Sequence, residues 1–194
     1  MIGIPCGVIN LQYQFGIEHD RRDKLEQIIS IDKNNDRQRI VEDLYDDILY
    51  KRSVYILSKA SDKDIQTVDN AGYTISIVNT YDSTYYDNEY MKENHVYGVT
   101  NLTIRTVYLL DDIFALSDTE LHEVGHVIDE SLGMISRSET FKSIYDKHKN
   151  ELNSYASIDS TEYFATAYNE YRIRPDKLRE KQPEIYKYMK EILE

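Results

Sequence analysis

The segment from Ser117 to Gly133 constrains this chain most, because it must bury one face while keeping the other polar. Leu121, Val124, Ile128 and Leu132 recur at helical spacing and form one apolar stripe. Ser117-Asp118-Thr119-Glu120 reads as a capping box that starts the helix near Asp118, and Gly133 is a natural stop. His122 and His126 stand at i and i+4, so one packed helix carries two imidazoles one above the other. Gly125 lies between them and costs up to about 1 kcal/mol relative to Ala in a helix interior. It makes sense if something must approach that turn closely.

The remaining pattern sets this helix in an α+β chain. Asn35–Arg52 places Ile40, Val41, Leu44, Ile48 and Leu49 at helical spacing, and the apolar run Val54–Leu57 reads as a buried strand. Tyr73, Ile75 and Ile77 alternate with Thr74, Ser76 and Val78, which fits a second strand. Tyr81–His95 is polar and acidic, an exposed connection. Val96–Leu110 reads as a hairpin, or as one long strand with an irregular start near Gly98. Three helices follow. One starts near Ser138 with Phe141, Ile144 and Tyr145 inward, and one near Ser160 with Phe164, Ala165, Ala167, Tyr168 and Tyr171 inward. The last starts at Pro183, a good first-turn residue, and carries Ile185, Tyr188, Met189 and Ile192. Helices then flank a small mixed sheet in a single domain over 1–194, with a helical part over about 1–95 and the histidine-bearing part over about 96–194.

Composition removes several classes of function. With 35 acidic and 23 basic side chains the formal net charge is −12, which counts against a nucleic-acid phosphate backbone or an anionic bilayer as the main partner. No apolar run approaches the roughly 20 residues of a membrane helix. Cys6 is the single cysteine, so no intrachain disulfide forms, and Met1–Gly16 has no basic start and does not read as a signal peptide.

The chemistry concentrates in His122-Glu123-Val124-Gly125-His126. Two imidazoles on one helical turn can reach one metal ion, and their nitrogens suit a tetrahedral Zn²⁺ with one open position. Glu123 is angled away from coordination but can approach a water in that position, take its proton and deliver it to a leaving amine. The continuation Val127-Ile128-Asp129 lacks the glycine and third histidine of the longer HExxHxxGxxH pattern, so a carboxylate from a later helix is the natural third ligand. Glu162 is the candidate. A glutamate in a first turn is equally well explained by the helix dipole, and from the residues alone both readings stand. His19, His95 and His148 have no partner at ligand spacing.

These residues resemble a known family. His122–His126 with Val127-Ile128-Asp129, then Asn153-Ser154-Tyr155, then Glu162-Tyr163-Phe164-Ala165, are similar to the lethal-factor-like zinc metallopeptidases, which include the catalytic domain of anthrax lethal factor and the clostridial Pro-Pro endopeptidases. Pro183–Met189 resembles that family's last helix. The likeness is firm over about 96–194 and loose over 35–95, and the first 34 residues are not aligned to it. It implies a zincin-like (gluzincin) fold, one catalytic zinc held by His122, His126 and Glu162, and Glu123 as the residue that polarises the water. It also implies Tyr155 as donor to the tetrahedral oxyanion, a role that a phenol fills without competing as a base at neutral pH. Family members often carry a second glutamate one turn after the ligand glutamate; Thr166 stands there in this chain. Asp129 is a candidate for orienting a ligand imidazole, while Glu170 reads as surface charge.

The resemblance implies a protein or peptide substrate laid against a sheet edge, and Val99–Tyr108 is the candidate edge. No tryptophan is present, so the pocket tryptophan tied to proline preference is absent and Pro-Pro specificity is not expected. A monomer is expected, with secretion or delivery outside the cell implied by the family and a cytoplasmic location allowed by the residues. An inactive toxin-like binding domain on the same scaffold and a cytosolic regulatory zinc protease are the alternative functions.

Overall fold

The computed structural model describes residues 41–42, 53, 55–78, 96–110 and 118–194. Among them β1 (Val41–Glu42), β2 (Thr74–Val78), β3 (Gly98–Asn101) and β4 (Thr106–Leu110) form one mixed sheet in the order β1-β2-β4-β3. β1 and β4 run parallel to β2 on either side, and β3 turns back antiparallel on β4. Register places Ile75 beside Val107 and Ile77 beside Leu109, and all four are buried. The alternation of the sequence thus becomes one apolar face of the sheet. The hairpin turn is held by the Asn101 side-chain oxygen, which accepts from the N–H groups of Thr103 and Ile104 at 3.0 and 3.2 Å. Arg105 takes the left-handed conformation there, with φ 53°. Its guanidinium donates to the carbonyl of Ala71.

The helices are α1 (Asp62–Asn70), α2 (Glu120–Ser131), α3 (Glu139–His148), α4 (Ser160–Ile173), α5 (Pro175–Lys181) and α6 (Pro183–Leu193). α4 is buried almost all round, from Tyr163 through Asn169 and again at Tyr171, as befits a helix in the middle of a core rather than on its surface. α2 packs along it with Leu121, Val124, Val127 and Ile128 buried. Phe141 of α3 meets Tyr163 and Phe164 of α4 and Tyr188 of α6, with ring centroids 5.3–6.0 Å apart. None of the described helices is long and apolar enough to cross a membrane.

Four expectations change. Ser53 and Tyr55–Leu57 are helical, not a strand; a run of four apolar residues has no period that separates the two, and here Ile56 and Leu57 enter the core from a turn. Of the expected helix Asn35–Arg52, Val41 and Glu42 lie in β1, because pairing of Val41 with Ile75 outweighs helical spacing; the rest of that segment, like Tyr81–His95, lies outside the described residues. Periodicity does not mark α1 or α5, whose buried apolar residues are only Ile65 and Val68 in one and Leu178 in the other. Finally, α2 is entered through a π-turn at Asp118–Thr119 with no side-chain cap at Thr119. Glu120 is buried and takes a hydrogen bond from the Ser53 hydroxyl instead. Ser117 lies outside the described residues.

A buried ion pair joins α1 to α4. Asp64 is 3% exposed and lies 2.6 Å from the Arg172 guanidinium. Its carboxylate also accepts from the Tyr168 hydroxyl at 3.0 Å and completes the capping box with Ser61. Removing one partner strands the other charge away from water. We expect Asp64→Ala to lose about 3–5 kcal/mol of unfolding free energy in urea titration; a loss below about 1 kcal/mol, the range of exposed pairs, would show that the pair carries little.

Candidate metal centre

At one point no side chain separates α2 from α4. A Cβ on Gly125 would stand 2.9 Å from the Ala165 Cα and 3.2 Å from its carbonyl oxygen, so only glycine lets the two backbones touch. This is the close approach that the sequence required of that turn. His122 and Glu162, one turn before the contact on their helices, and His126, next to Gly125, then meet beside the crossing. His122 Nε2 lies 2.9 Å and His126 Nε2 3.5 Å from the same oxygen, Oε2 of Glu162. The imidazoles stand edge to face, 86° apart with centroids at 4.9 Å. One donor atom from each of the three residues falls within 4.8 Å of the others. Asp159 caps α4, its Oδ1 accepting from the N–H groups of Thr161 at 2.7 Å and Glu162 at 2.9 Å, which fixes the turn that carries Glu162.

Charge at this point is tightly coupled. Burial would raise the Glu162 carboxyl, but hydrogen bonds and charge from His122 and His126 outweigh it and pull it down to about 2. Burial likewise opposes charging of His126, yet the bond to Glu162 and the charges of Glu123, Glu162 and Asp129 raise it above its ordinary value. The site therefore favours positive charge among its nitrogens.

The remaining residues singled out by the sequence divide. Glu123 is 5% exposed and its Oε2 accepts from the Thr100 hydroxyl at 2.7 Å. Tyr155, half-exposed, brings its ring to 5.4 Å from that of His122. Its loop is pinned where Asn153 accepts from the Ala156 N–H at 2.7 Å and the Tyr145 hydroxyl donates to the Ser157 carbonyl at 2.8 Å. Asp129 is buried and receives the Ser136 N–H at 2.8 Å and hydroxyl at 2.6 Å; it closes the turn after α2 and reaches His126 through its charge. Thr166 places its hydroxyl 3.5 Å from His122 Nδ1. Glu170 is paired with Arg174, which also holds Asp118 at 2.6 Å. His148 lies between Glu151 and Glu184, at 2.8 and 2.9 Å, apart from the three-donor cluster. His19 and His95 lie outside the described residues. Sequence reasoning missed Thr100, whose link to Glu123 crosses from strand to helix and leaves no local signal.

A cleft of about 800 Å³ opens over these groups, lined by β3, α2, α4 and the loop of Tyr155. Comparison with known proteins adds the lineage. The family described as "Anthrax toxin lethal factor, N- and C-terminal domain" matches residues 17–192. No curated protein sequence matches the chain. Among solved structures, the PRO-PRO endopeptidase PPEP-2 from Paenibacillus alvei superposes with a TM-score of 0.67 at 19% identity, over 81% of this chain and 100% of that one. That likeness is one of fold, the zincin-like α+β arrangement.

The coupling has a pH signature in metal-free protein. A carboxyl lowered to about 2 from 4.5 contributes stability that is fully present above about pH 4.5 and lost as pH falls through about 2. Thermal melts in chelator should show a smaller loss over that window in Glu162→Gln than in the parent; equal losses would mean that the imidazoles do not hold the carboxylate.

Proposed function

The chain belongs to the anthrax toxin lethal factor family, and from that premise we propose that it is a zinc-dependent metalloendopeptidase hydrolysing internal peptide bonds of a protein substrate. The observation that carries this reading is the convergence of His122 Nε2, His126 Nε2 and Glu162 Oε2 on one point, with Glu123 on the same helix turn. Two imidazoles and one carboxylate are a donor set that zinc takes in catalytic sites, with a fourth position left open. Among the described residues no lysine or arginine lines the cleft to compete with a cation. The residues fit the ion.

When bound, zinc supplies Lewis acidity at the substrate carbonyl and makes water a nucleophile at neutral pH. His122, His126 and Glu162 hold it. Glu123 takes the proton of the attacking water and hands it to the leaving amine, so the protons balance as the C–N bond breaks. Tyr155 donates its phenolic hydrogen to the oxyanion. β3, which pairs only with β4 among the described residues, is the edge along which an extended peptide adds a strand. Asp118, Glu123, Glu162 and Glu170 line the cleft, which favours neutral or basic segments over acidic ones. Proline pairs are not part of the proposal, since the chain has no tryptophan.

Incubating zinc-loaded protein with a degenerate peptide library and sequencing the fragments tests the reading directly. Glu123→Ala should keep its fold and one zinc per chain and cut nothing, His126→Ala should fail to retain zinc, and Tyr155→Phe should lower kcat about 10²–10³-fold. Cleavage by Glu123→Ala at the parent's rate would sink the assignment of the base, and a parent that cuts nothing would favour a binding domain on the same scaffold.

A further inference from the structure

The edge strand touches the helix at Glu123 twice. The Thr100 hydroxyl donates to Glu123 Oε2 at 2.7 Å and lies 3.1 Å from that residue's main-chain oxygen. Two residues earlier on the same face of β3, Gly98 leaves room for the side chain: a Cβ there would stand 2.9 Å from Glu123 Cγ and 2.8 Å from Thr119 Cγ2. Among the described residues, Glu123 Oε1 takes no hydrogen bond.

The main chain of these two positions faces the other way. The Leu110 N–H donates to the Tyr97 carbonyl at 2.9 Å, and the register continues as Val99 with Tyr108 and Asn101 with Thr106. In an antiparallel ladder hydrogen-bonded and non-bonded pairs alternate, so Val99 and Asn101 spend their N–H and C=O groups on β4. Gly98 and Thr100 are left with theirs on the outer edge.

We propose that Thr100 is a positioning residue for Glu123: its hydroxyl fixes the carboxylate by Oε2 while its main chain lies where a substrate strand pairs. The inference rests on the metalloendopeptidase reading and names what aligns its base. With Oε2 held, Oε1 is the oxygen that takes a proton from water and passes it to the leaving nitrogen. When Oε1 carries that proton, Oε2 is still an acceptor for the Thr100 hydroxyl, so both protonation states keep one side-chain position. Substrate pairing and base alignment are thereby set by a single residue, one through its backbone and the other through its side chain.

Thr100→Val keeps the shape and strand preference but removes the hydroxyl; Thr100→Ser keeps the hydroxyl. On a library peptide that the parent cuts, Thr100→Val should lower kcat by about 10–100-fold, the scale of a misplaced catalytic group, with KM changed less than about threefold and zinc content unchanged. Thr100→Ser should recover kcat to within about threefold. Equal kcat in Thr100→Val and parent, or equal losses in both variants, overturns the proposal. A second readout needs no activity. With ¹³C-labelled glutamate carboxyls, the Glu123 resonance, assigned by its loss in Glu123→Gln, should move in Thr100→Val and stay in Thr100→Ser. An unmoved resonance in Thr100→Val overturns the inference even if the parent proves inactive, and inactivity alone overturns only the proposed function.

Discussion

The contact between the backbones at Gly125 and Ala165 is the constraint from which the rest follows. Any larger residue at 125 would push apart the two helices that carry His122, His126 and Glu162. α4 cannot relax to meet such a change, since it is enclosed by α2, by the aromatic cluster of Phe141, Phe164 and Tyr188, and by the Asp64–Arg172 pair from α1. The packing of the two helices thus brings the three side chains together, which is the usual requirement for a precise site.

The acids of α2 share one pattern. Glu120 receives a hydrogen from Ser53, Glu123 from Thr100, Asp129 from Ser136 and Glu130 from Tyr73. Each carboxylate is met by a hydroxyl from another element. A hydroxyl satisfies a buried carboxylate without cancelling its charge, whereas a lysine or arginine would do both. Glu123 and Asp129 consequently hold a negative field on His126, and burial in a medium of low polarity strengthens that field.

The sequence made the long helices, strand β2 and the hairpin legible and the short helices not. α2, α3, α4 and α6 each repeat apolar residues through several turns, and Ser138 and Pro183 mark starts that the structure keeps. Val54–Leu57, α1 and α5 are too short or too polar for a period to register. Val41 took its conformation from a partner strand rather than from its neighbours in sequence. At the site, local spacing revealed His122, Glu123 and His126, because their relation lies within one turn. Glu162 was open between two meanings, and only the tertiary fold brings it to 2.9 Å from His122. Thr100 was silent, since a strand threonine among many has nothing nearby to single it out.

The tip of the β3–β4 hairpin is tied down at Arg105, which bonds Ala71 through its side chain and accepts from Thr74 N–H at 3.1 Å through its carbonyl. A hairpin anchored at its turn has already given up its configurational freedom during folding. A chain laid beside it loses only its own. Segments that are already extended forfeit little on docking, while those drawn from a stable helix must first unravel. Under the proposed function, how loosely a target is folded would then weigh on its docking beside the side chains it bears.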